Sequence, residues 1–332
     1  MSFSSVTGCL RLFVRRRQVE KTFLRLWGIN GEWEMRKLKI GFIGAGKVGQ
    51  ALGLYFVHHG LTLSGYSSRT AASAQEAAAL TGGKWFYRME DVAKESSVLF
   101  LTTPDHALPA VDEEAAALLS THSDWQDKVW LHVSGAHAST CLACLSAAGC
   151  PVGSLHPLQS FGNPEISAEM LEKTHFSAEG TPKALQAVRQ ILGQTGGSCS
   201  KISTRDKPLY HTGACVISNY LVTLLDSGMR FMQAAGMDQD TLFEAVLPLI
   251  DGTLKNIREK GTLQALTGPI VRADYDTVAA HCRAIQHAMP QDAAWYRALA
   301  EKTVAFAEEG ERLSHEQAET FRRILKGGGS NE

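Results

Sequence analysis

The sequence predicts an α/β fold, a doubly wound parallel sheet followed by a C-terminal all-helical domain. Up to about residue 203, short and nearly continuous apolar runs alternate with segments of helical periodicity, which is typical of strands buried on both faces of a parallel sheet. A glycine-rich turn directly follows the first apolar run. Beyond residue 203 the strand pattern stops and helical periodicity continues. These three observations together predict the fold class.

Composition and charge narrow the class of protein. The chain has 332 residues, which favours two domains, and its hydrophobic content of 44% is ordinary for a globular protein. A formal net charge of -1 gives no electrostatic basis for binding nucleic acid, and no apolar run of about 18 residues predicts a membrane span. The seven scattered cysteines predict a reducing, cytoplasmic location. We expect Cys141 and Cys144 to be helix-packing thiols, with metal binding as the less favoured alternative.

The first predicted strand, Leu38 to Ile43, leads into the glycine-rich turn, and a helical pattern follows the turn. Gly44 permits a tight turn, Gly46 lets the backbone approach a pyrophosphate, and Gly49 lets the helix pack closely on the strand. The free N–H groups of the helix would then bind the phosphates. The pattern predicts a dinucleotide site rather than a purely structural turn. Its predicted contact residues are Gly44, Ala45, Gly46, Lys47, Val48 and Gly49.

The second predicted strand, Leu61 to Tyr66, ends where a carboxylate would bind the ribose 2'-hydroxyl of NAD. No Asp or Glu occurs from Gln50 through Gln75. Ser67, Ser68 and Arg69 stand there instead, and two hydroxyls with a guanidinium suit a 2'-phosphate. We therefore expect NADP (NADPH) as the cofactor, with a loop of small polar residues as the alternative.

Three further strands are expected to end at the same edge of the sheet, where ligands collect in open α/β folds. The run Ser97 to Leu101 is followed by Thr102, Thr103 and Pro104, and the run Val129 to Val133 is followed by Ser134. The segment GSLHPLQSF then brings His156 to a corresponding place. His156 is the first candidate proton donor, because imidazole titrates near neutral pH. The alternative is an ordinary histidine of an interdomain loop.

The second half of the chain begins with a strand near Phe176, a helix from Pro182 to Leu192 and a closing strand near 198–202. From Leu209 to Met232 apolar residues occur on almost every side of a predicted long helix, which we expect to be buried in a core or a subunit interface. Lys207 is expected to precede this helix. Polar residues on it could line a substrate cleft, or they could be satisfied core polar groups. The candidates are His211 and Asn219 as catalytic residues and Ser218 as a substrate ligand.

A polar loop interrupts the helical pattern in the segment ALTGPIVRADYDTVAAH. Thr267 and Arg272 are candidate substrate ligands, because binding residues are often carried on such loops. Alternatively, the segment is an interhelical turn in which Asp274 caps the next helix.

The chain resembles a family of Rossmann-like and DUF2520 domain-containing proteins. The resemblance is carried by the ordered motifs GFIGAGKVG, SSR, TTPD, HVSGA, SLHPLQSF, YHTGACVISNYLV and ALTGPIVRADYDTV. The family is similar to pyrroline-5-carboxylate reductases, ketopantoate reductases, F420-dependent NADP oxidoreductases, 3-hydroxyacid dehydrogenases and 6-phosphogluconate dehydrogenase-like proteins. The resemblance implies an N-terminal Rossmann domain and a helical domain that mediates homodimerisation. One departure is Ala273, since the family pattern has Arg-Gly-Asp at residues 272–274.

The domains predicted from these patterns are a Rossmann domain at residues 36–203, a helical substrate and dimerisation domain at 204–326 and a disordered tail at 327–332. Residues 1–35 have the arginine-rich, acid-poor composition of a transit peptide. We favour a start-site artefact for this extension, because Met35 directly precedes the first strand.

The expected function is hydride transfer between NADPH and a small C=O or C=N substrate in a cleft between the domains. A non-catalytic NADPH-binding sensor or scaffold is one alternative. A 3-hydroxyacid-type dehydrogenase is another, and it is weakened because the long helix lacks the lysine of those enzymes. Neither a metal, a nucleic acid nor a membrane is expected to be a partner.

Overall fold

The computed structural model describes residues 38–327, and these divide into two compact units, one ending at Asn219 and the other beginning at Tyr220. The predicted extension at residues 1–35, with both of its interpretations, lies outside the described residues, as do residues 328–332 of the predicted tail. The predicted functional domains, 36–203 and 204–326, stay a prediction.

The first unit is built around a sheet of eight strands in the order β3-β2-β1-β4-β5-β6-β7-β8. All neighbouring strands are parallel except β6 and β7, which are antiparallel. The predicted fold class is confirmed, whereas the short β3 and the reversed β7 were not expected from the sequence. The strands are β1 (Lys39–Ile43), β2 (Thr62–Ser67), β3 (Lys84–Phe86), β4 (Val98–Leu101), β5 (Val129–His132), β6 (Val152–Pro157), β7 (His175–Gly180) and β8 (Ser198–Lys201).

Helices cover both faces of this sheet, which explains the nearly continuous apolar runs of its central strands. Phe42 and Phe100 pack on one face beside Phe56 of α1, while Leu101 and Trp130 belong to the apolar cluster on the other face. The helices of this part are α1 (Lys47–His58), α2 (Ala71–Thr81), α3 (Met89–Glu95), α4 (Leu108–Leu118), α5 (Ala143–Ala147), α6 (Pro164–Leu171) and α7 (Pro182–Thr195). The strand order reverses between β1 and β4, so the carboxyl ends of these two strands flank the crevice at which open α/β sheets bind ligands.

The predicted long helix at 209–232 is two helices, α8 (Lys207–Ile217) and α9 (Asn219–Ala234), separated at Ser218. Lys207 is the first residue of α8, so the expectation that it precedes the helix is wrong. Burial in the chain's own core is also wrong, because Ile217 is 76% exposed and Val222 is 69% exposed. Several apolar residues of this segment are therefore not covered by the rest of the described chain. The alternative, that they lie in a subunit interface, stays a prediction.

The described residues of the second unit form helices joined by loops, with no strand among them. Val278, Val304 and Phe321 lie in its apolar core, and the helices after α9 are α10 (Gln239–Ala265), α11 (Tyr275–Ala288), α12 (Ala293–Glu309) and α13 (His315–Leu325). The Asp274 side chain accepts a hydrogen bond from the Thr277 backbone N–H at the start of α11, which confirms the predicted N-cap. Within residues 38–327, no helix has the length and apolarity needed to cross a bilayer.

Candidate functional site

The three glycines of the turn after β1 differ in what surrounds them. A Cβ on Gly44 would lie 2.7 Å from the backbone of Thr102, and one on Gly49 would lie 2.7 Å from the Thr102 Oγ1 atom. A Cβ on Gly46 would meet no atom within 4 Å. Thr102 Oγ1 also donates a 2.7 Å hydrogen bond to the Gly44 carbonyl oxygen. Gly44 and Gly49 are therefore required by packing of the turn against the end of β4, whereas Gly46 leaves an open space at the start of α1.

This open space is suited to a phosphate-bearing ligand. Gly46 is the N-cap of α1, and the first turn of that helix contains no acidic residue. Its free N–H groups and the positive end of the helix dipole therefore favour an anion. The buried Thr103 Oγ1 atom, at the end of the neighbouring β4, has no hydrogen-bond partner in the described part of the chain. A buried hydroxyl without a partner is unfavourable, so Thr103 is a natural contact for a ligand bound at this edge.

The residues after β2 lie beside the same turn. Ser67 is buried, and its carbonyl oxygen accepts a 2.8 Å hydrogen bond from the Gly44 N–H. Ser68 is partly exposed and Arg69 is exposed, and within residues 38–327 Arg69 forms no ion pair. Thr70 caps α2 through Ser73 N. A guanidinium and a hydroxyl are thus available at the position where NAD-specific folds present a carboxylate.

A second group of polar side chains lies on one face of the sheet, on strands β5 to β7. His132 pairs in register with Ser154, Ser154 pairs with Glu179, and His156 pairs with Ser177. Residues two apart along a strand share a face, so all five side chains point to the same side of the sheet. All are buried except His156, which is partly buried. Buried polar groups are normally hydrogen-bonded, and the first turns of α8 supply partners to Ser154 and His156, whereas His132 Nε2 and Ser177 Oγ have none among the described residues.

Three residues of α8 at helical spacing face this polar surface. The Lys207 ammonium donates a short hydrogen bond to Ser154 Oγ and lies 3.7 Å from Glu179 Oε1. The Tyr210 hydroxyl and His156 Nδ1 are 3.0 Å apart, within hydrogen-bond distance. The His211 and His156 rings are 6.3 Å apart between centroids. Positions i, i+3 and i+4 share a helix face, which explains why all three side chains face the sheet.

Ser134 joins the ends of β4 and β5. Its hydroxyl donates to Asp105 Oδ2 at 2.8 Å and accepts hydrogen bonds from the backbone N–H groups of Ala136 and His137. Between Ser134 and Ala136, a Cβ on Gly135 would lie within 3 Å of both the His156 and His211 rings. The loop after β5 therefore lies directly against the two histidines, and it connects them to the edge that carries Thr102, Thr103 and Pro104.

The environment fixes the charges of this group. Burial, followed by the positive charge of Lys207, lowers the pKa of His132 to about 3 and that of His156 to about 4. Burial lowers the pKa of Lys207 to about 8, opposed by the negative charge of Glu179. Burial also raises the pKa of the Tyr210 hydroxyl. At pH 7 both imidazoles are therefore uncharged, Tyr210 carries its proton and Lys207 is mostly protonated.

The structure brings together most of the predicted site residues of the first unit but not all of them. The glycine turn, Ser67–Arg69 and Thr102–Pro104 lie at one edge, and Ser134, His156 and His211 form a connected group. Ser218 and Asn219 are exposed at the junction of α8 and α9. In the second unit, Thr267 and Arg272 lie in the loop between α10 and α11. The roles of these four residues stay predictions.

Around His156 and His211, sequence reasoning missed Asp105, the residues His132, Ser154, Ser177 and Glu179 on the sheet, and Lys207 and Tyr210 on α8. Two sequence patterns could have indicated these residues: the period-two spacing in Ser154-x-His156 and Ser177-x-Glu179, and the helical spacing of Lys207, Tyr210 and His211. These patterns become informative only when the polar residues of neighbouring apolar strands are treated as parts of one surface. Over residues 38–327, no group of three or more His, Cys, Asp or Glu side chains is placed to hold a metal ion.

Comparisons with solved structures place the fold. A protein from Thermotoga maritima has 24% identity and a TM-score of 0.59, covering 87% of this chain and 99% of that chain. A protein from Bacteroides fragilis, provisionally described as an NADP oxidoreductase, has 19% identity and a TM-score of 0.62, covering 80% and 97%. A reductive aminase from Aspergillus terreus, solved with NADPH and ethyl-5-oxohexanoate, has 17% identity and a TM-score of 0.56, covering 87% and 100%.

Family models identify both parts of the chain. The comparison with curated proteins gives no match. A model of the Rossmann-like domain matches residues 28–157, and a model of a domain of unknown function, DUF2520, matches residues 174–303. The chain therefore contains a Rossmann-like domain followed by a DUF2520 domain.

Proposed function

We propose that this protein is an NADPH-dependent oxidoreductase that acts on a small C=O or C=N compound. The observation that carries the proposal is the open space at Gly46, at the N-terminus of α1, on the edge of the sheet where β4 ends in the partnerless hydroxyl of Thr103. Two solved structures of similar fold support the proposal. The Aspergillus terreus reductive aminase is in complex with NADPH, and a Myxococcus stipitatus imine reductase variant is in complex with NAD⁺. Reduction of a ketone or imine is consistent with these names.

The preference for NADPH over NADH rests on the residues after β2. A carboxylate there would repel a 2'-phosphate, and Gln50 to Gln75 contains none. Arg69 offers a planar guanidinium to the phosphate, and Ser68 offers a hydroxyl. Gly44 to Gly49 and Thr102 to Pro104 would hold the rest of the cofactor.

When bound, the nicotinamide supplies or accepts the hydride, and the chain must supply the proton. We assign this task to Tyr210, because its hydroxyl keeps its proton at neutral pH and lies within hydrogen-bond distance of His156 Nδ1. Tyr210 donates this proton to the oxygen or nitrogen on which negative charge develops, and a proton from water replaces it. Uncharged His156 orients the hydroxyl, and the His211 ring lies 6.3 Å from the His156 ring. The two histidines are therefore proposed to act in catalysis through Tyr210.

A 3-hydroxyacid dehydrogenase is less well supported. Lys207 is a helix residue, but its ammonium is 1% exposed and engaged with Ser154 and Glu179, so it does not face a substrate. The non-catalytic sensor or scaffold is separated from the enzyme by turnover alone. Asn219 remains proposed as a catalytic residue, and Ser218, Thr267 and Arg272 remain proposed as substrate contacts.

The test is oxidation of NADPH by the full chain over a panel of small ketones and imines. Tyr210→Phe should lower kcat about 100-fold or more, as expected for loss of a proton donor. Tyr296→Phe is a matched control, because Tyr296 forms a similar pair with His281 Nδ1 at 2.9 Å in the second unit. Binding of NADPH without turnover of any compound in the panel would favour the sensor, and equal activity of Tyr210→Phe would remove Tyr210 from the mechanism.

We also propose that the chain forms a homodimer through the exposed apolar residues of α8 and α9. Exposed apolar patches of this kind mark interaction surfaces. Val222→Asp should convert the dimer to a monomer in light scattering, and a wild-type monomer would refute the proposal. A cytoplasmic location is proposed because the six described cysteines are free thiols.

A further inference from the structure

Tyr87 is the most exposed aromatic side chain among residues 38–327, with 76% of its surface accessible. It lies in the two-residue connection between β3, which ends at Phe86, and α3, which begins at Met89. The next residue, Arg88, has extended backbone at the start of α3, and its guanidinium donates two hydrogen bonds to Asp91. One exposed apolar side chain is ordinary by itself. The surroundings of Tyr87, however, point to a ligand.

The ring of Tyr87 lies on the face of the sheet that carries α1 and α2. Its centroid is 4.6 Å from that of Trp85, with an interplanar angle of 73°, which is a favourable edge-to-face contact. Trp85 in turn packs against the apolar cluster that α1 and α2 form with this face. Trp85 therefore fixes the side of the sheet on which the Tyr87 ring lies, and most of the ring stays open to a ligand.

Tyr87 is also adjacent to the residues proposed for the 2'-phosphate. β2 and β3 are parallel, and Ser67 pairs with Phe86 at their carboxyl ends. Ser68 and Tyr87 follow these two residues, one strand spacing of about 4.8 Å apart. Arg69 then leads through the N-cap residue of α2 into that helix, which packs on the same face as the Tyr87 ring. Arg69 and Tyr87 are thus neighbours at one edge of the sheet.

Three consecutive strands, in the spatial order β1, β2, β3, therefore end in three different kinds of contact. Gly46 after β1 leaves open space at the N-terminus of α1, Arg69 after β2 offers a guanidinium, and Tyr87 after β3 offers an exposed aromatic ring. Pyrophosphate, ribose 2'-phosphate and adenine follow one another in the same order along one half of NADPH. Aromatic side chains bind bases by stacking, because every base has a π-face.

The acidic residues that follow Tyr87 do not oppose an anionic ligand. The Glu90 carboxylate lies 2.6 Å from Lys94 Nζ and 3.1 Å from Arg88 Nη1, and Asp91 Oδ1 lies 2.9 Å from Arg88 Nη2. Both carboxylates are therefore compensated, whereas Arg69 forms no ion pair within the described part of the chain. The edge keeps a positive charge next to the aromatic ring.

We propose that Tyr87 is a cofactor-binding residue whose ring stacks on the adenine of NADPH, next to Arg69 at the 2'-phosphate. The inference rests on the proposed function only in taking NADPH as the ligand, because it concerns binding and not hydride transfer. Adenine is common to NADPH and NADH, whereas the 2'-phosphate belongs to NADPH alone. Tyr87 therefore sets the affinity for both cofactors, and Arg69 sets the preference between them.

The test is an equilibrium titration of the full chain with NADPH and with NADH, without substrate, followed by cofactor fluorescence. Tyr87→Leu removes the ring and keeps an apolar side chain, and it should weaken both cofactors by the same factor of about ten. Tyr87→Phe is the matched control, which keeps the ring and should bind both cofactors within about twofold of the wild type. The cofactor-free Tyr87→Leu protein should melt at the wild-type temperature, because the side chain is largely exposed.

Wild-type affinity of Tyr87→Leu for both cofactors would overturn the proposal. A loss confined to NADPH would also overturn it, because Tyr87 would then act on the 2'-phosphate and not on the adenine. The same holds if Tyr87→Phe is as weak as Tyr87→Leu, since the hydroxyl would then make the contact. Failure of the wild type to bind either cofactor would refute this inference together with the cofactor. Predicted binding losses without turnover of any ketone or imine would refute the oxidoreductase and leave the adenine contact valid.

Discussion

Substitution of the two glycines at the start of α1 separates the structural role of the turn from its binding role. Gly46 has φ -81° and ψ -175°, a conformation open to any residue, and a Cβ there meets nothing within 4 Å. Gly49 lies three residues later, where a Cβ would be 2.7 Å from Thr102 Oγ1 and 2.9 Å from the Gly44 carbonyl oxygen. The variants Gly46→Ala and Gly49→Ala add the same methyl group to the two environments.

The structure gives opposite expectations for the two variants. The added methyl of Gly49→Ala overpacks the contact with β4 and should cost about 1–3 kcal/mol of unfolding free energy, which lowers Tm by roughly 2–4 °C per kcal/mol. For Gly46→Ala, the lower chain entropy of the unfolded state and the weaker N-cap approximately cancel, so stability should stay within about 0.5 kcal/mol. The methyl nevertheless occupies the space proposed for the phosphates. NADPH affinity should fall about tenfold or more, equivalent to about 1.4 kcal/mol.

The assay is thermal unfolding of both variants together with titration of NADPH followed by its fluorescence. A Gly46→Ala protein with wild-type stability and wild-type affinity would refute the phosphate space at Gly46. A Gly49→Ala protein as stable as Gly46→Ala would refute the packing argument. Both results are informative because each variant is the control for the other.

Two further predictions concern backbone strain and pH. Ala273 has φ 54°, a left-handed conformation that suits glycine, which the family pattern has at this position. Ala273→Gly should therefore leave the free energy of unfolding unchanged or raise it by up to about 1 kcal/mol in urea unfolding. The control Ala284→Gly, within α11, should lower it by about 1 kcal/mol. Folding lowers the pKa of His132 from its ordinary value to about 3, so between pH 6.5 and 3 the unfolded state binds a proton that the folded state does not. The free energy of unfolding should therefore fall as the pH is lowered from 6.5 toward 3. The loss is about 1.4 kcal/mol per pH unit for this histidine, and a His132→Gln protein with the wild-type slope between pH 6 and 4.5 would contradict it.

Local sequence patterns predicted the elements that depend on near neighbours. The run from β1 through the glycine turn into α1 is contiguous, so strand periodicity, turn glycines and helix spacing could all be read together. The cap of α11 at Asp274 was likewise predictable from its own turn. The break at Ser218 was not, because the apolar pattern of residues 209–232 runs through it without a glycine or proline at the break.

The polar surface on strands β5 to β7 could be predicted only with knowledge of the tertiary structure. Glu179 reaches Ser154 only because β7 runs antiparallel to β6, and nothing in the sequence of β7 specifies that reversal. The sequence placed Lys207 before the helix because the apolar pattern of that helix begins at Leu209. His156 and His211 were found by residue type, whereas Lys207 and Tyr210 contact the same polar surface only through the packing of α8 on the sheet.

The most direct test of the central claim is a titration of the full chain with NADPH and NADH, in the wild type and in Arg69→Ala. Arg283→Ala, an exposed arginine of α11, is the charge-matched control. We predict that the wild type and the control bind NADPH about tenfold or more tightly than NADH, and that Arg69→Ala loses this preference while its NADH affinity is unchanged. Absence of binding for either cofactor in the wild type would contradict the account, because it would leave the glycine turn with a structural role alone.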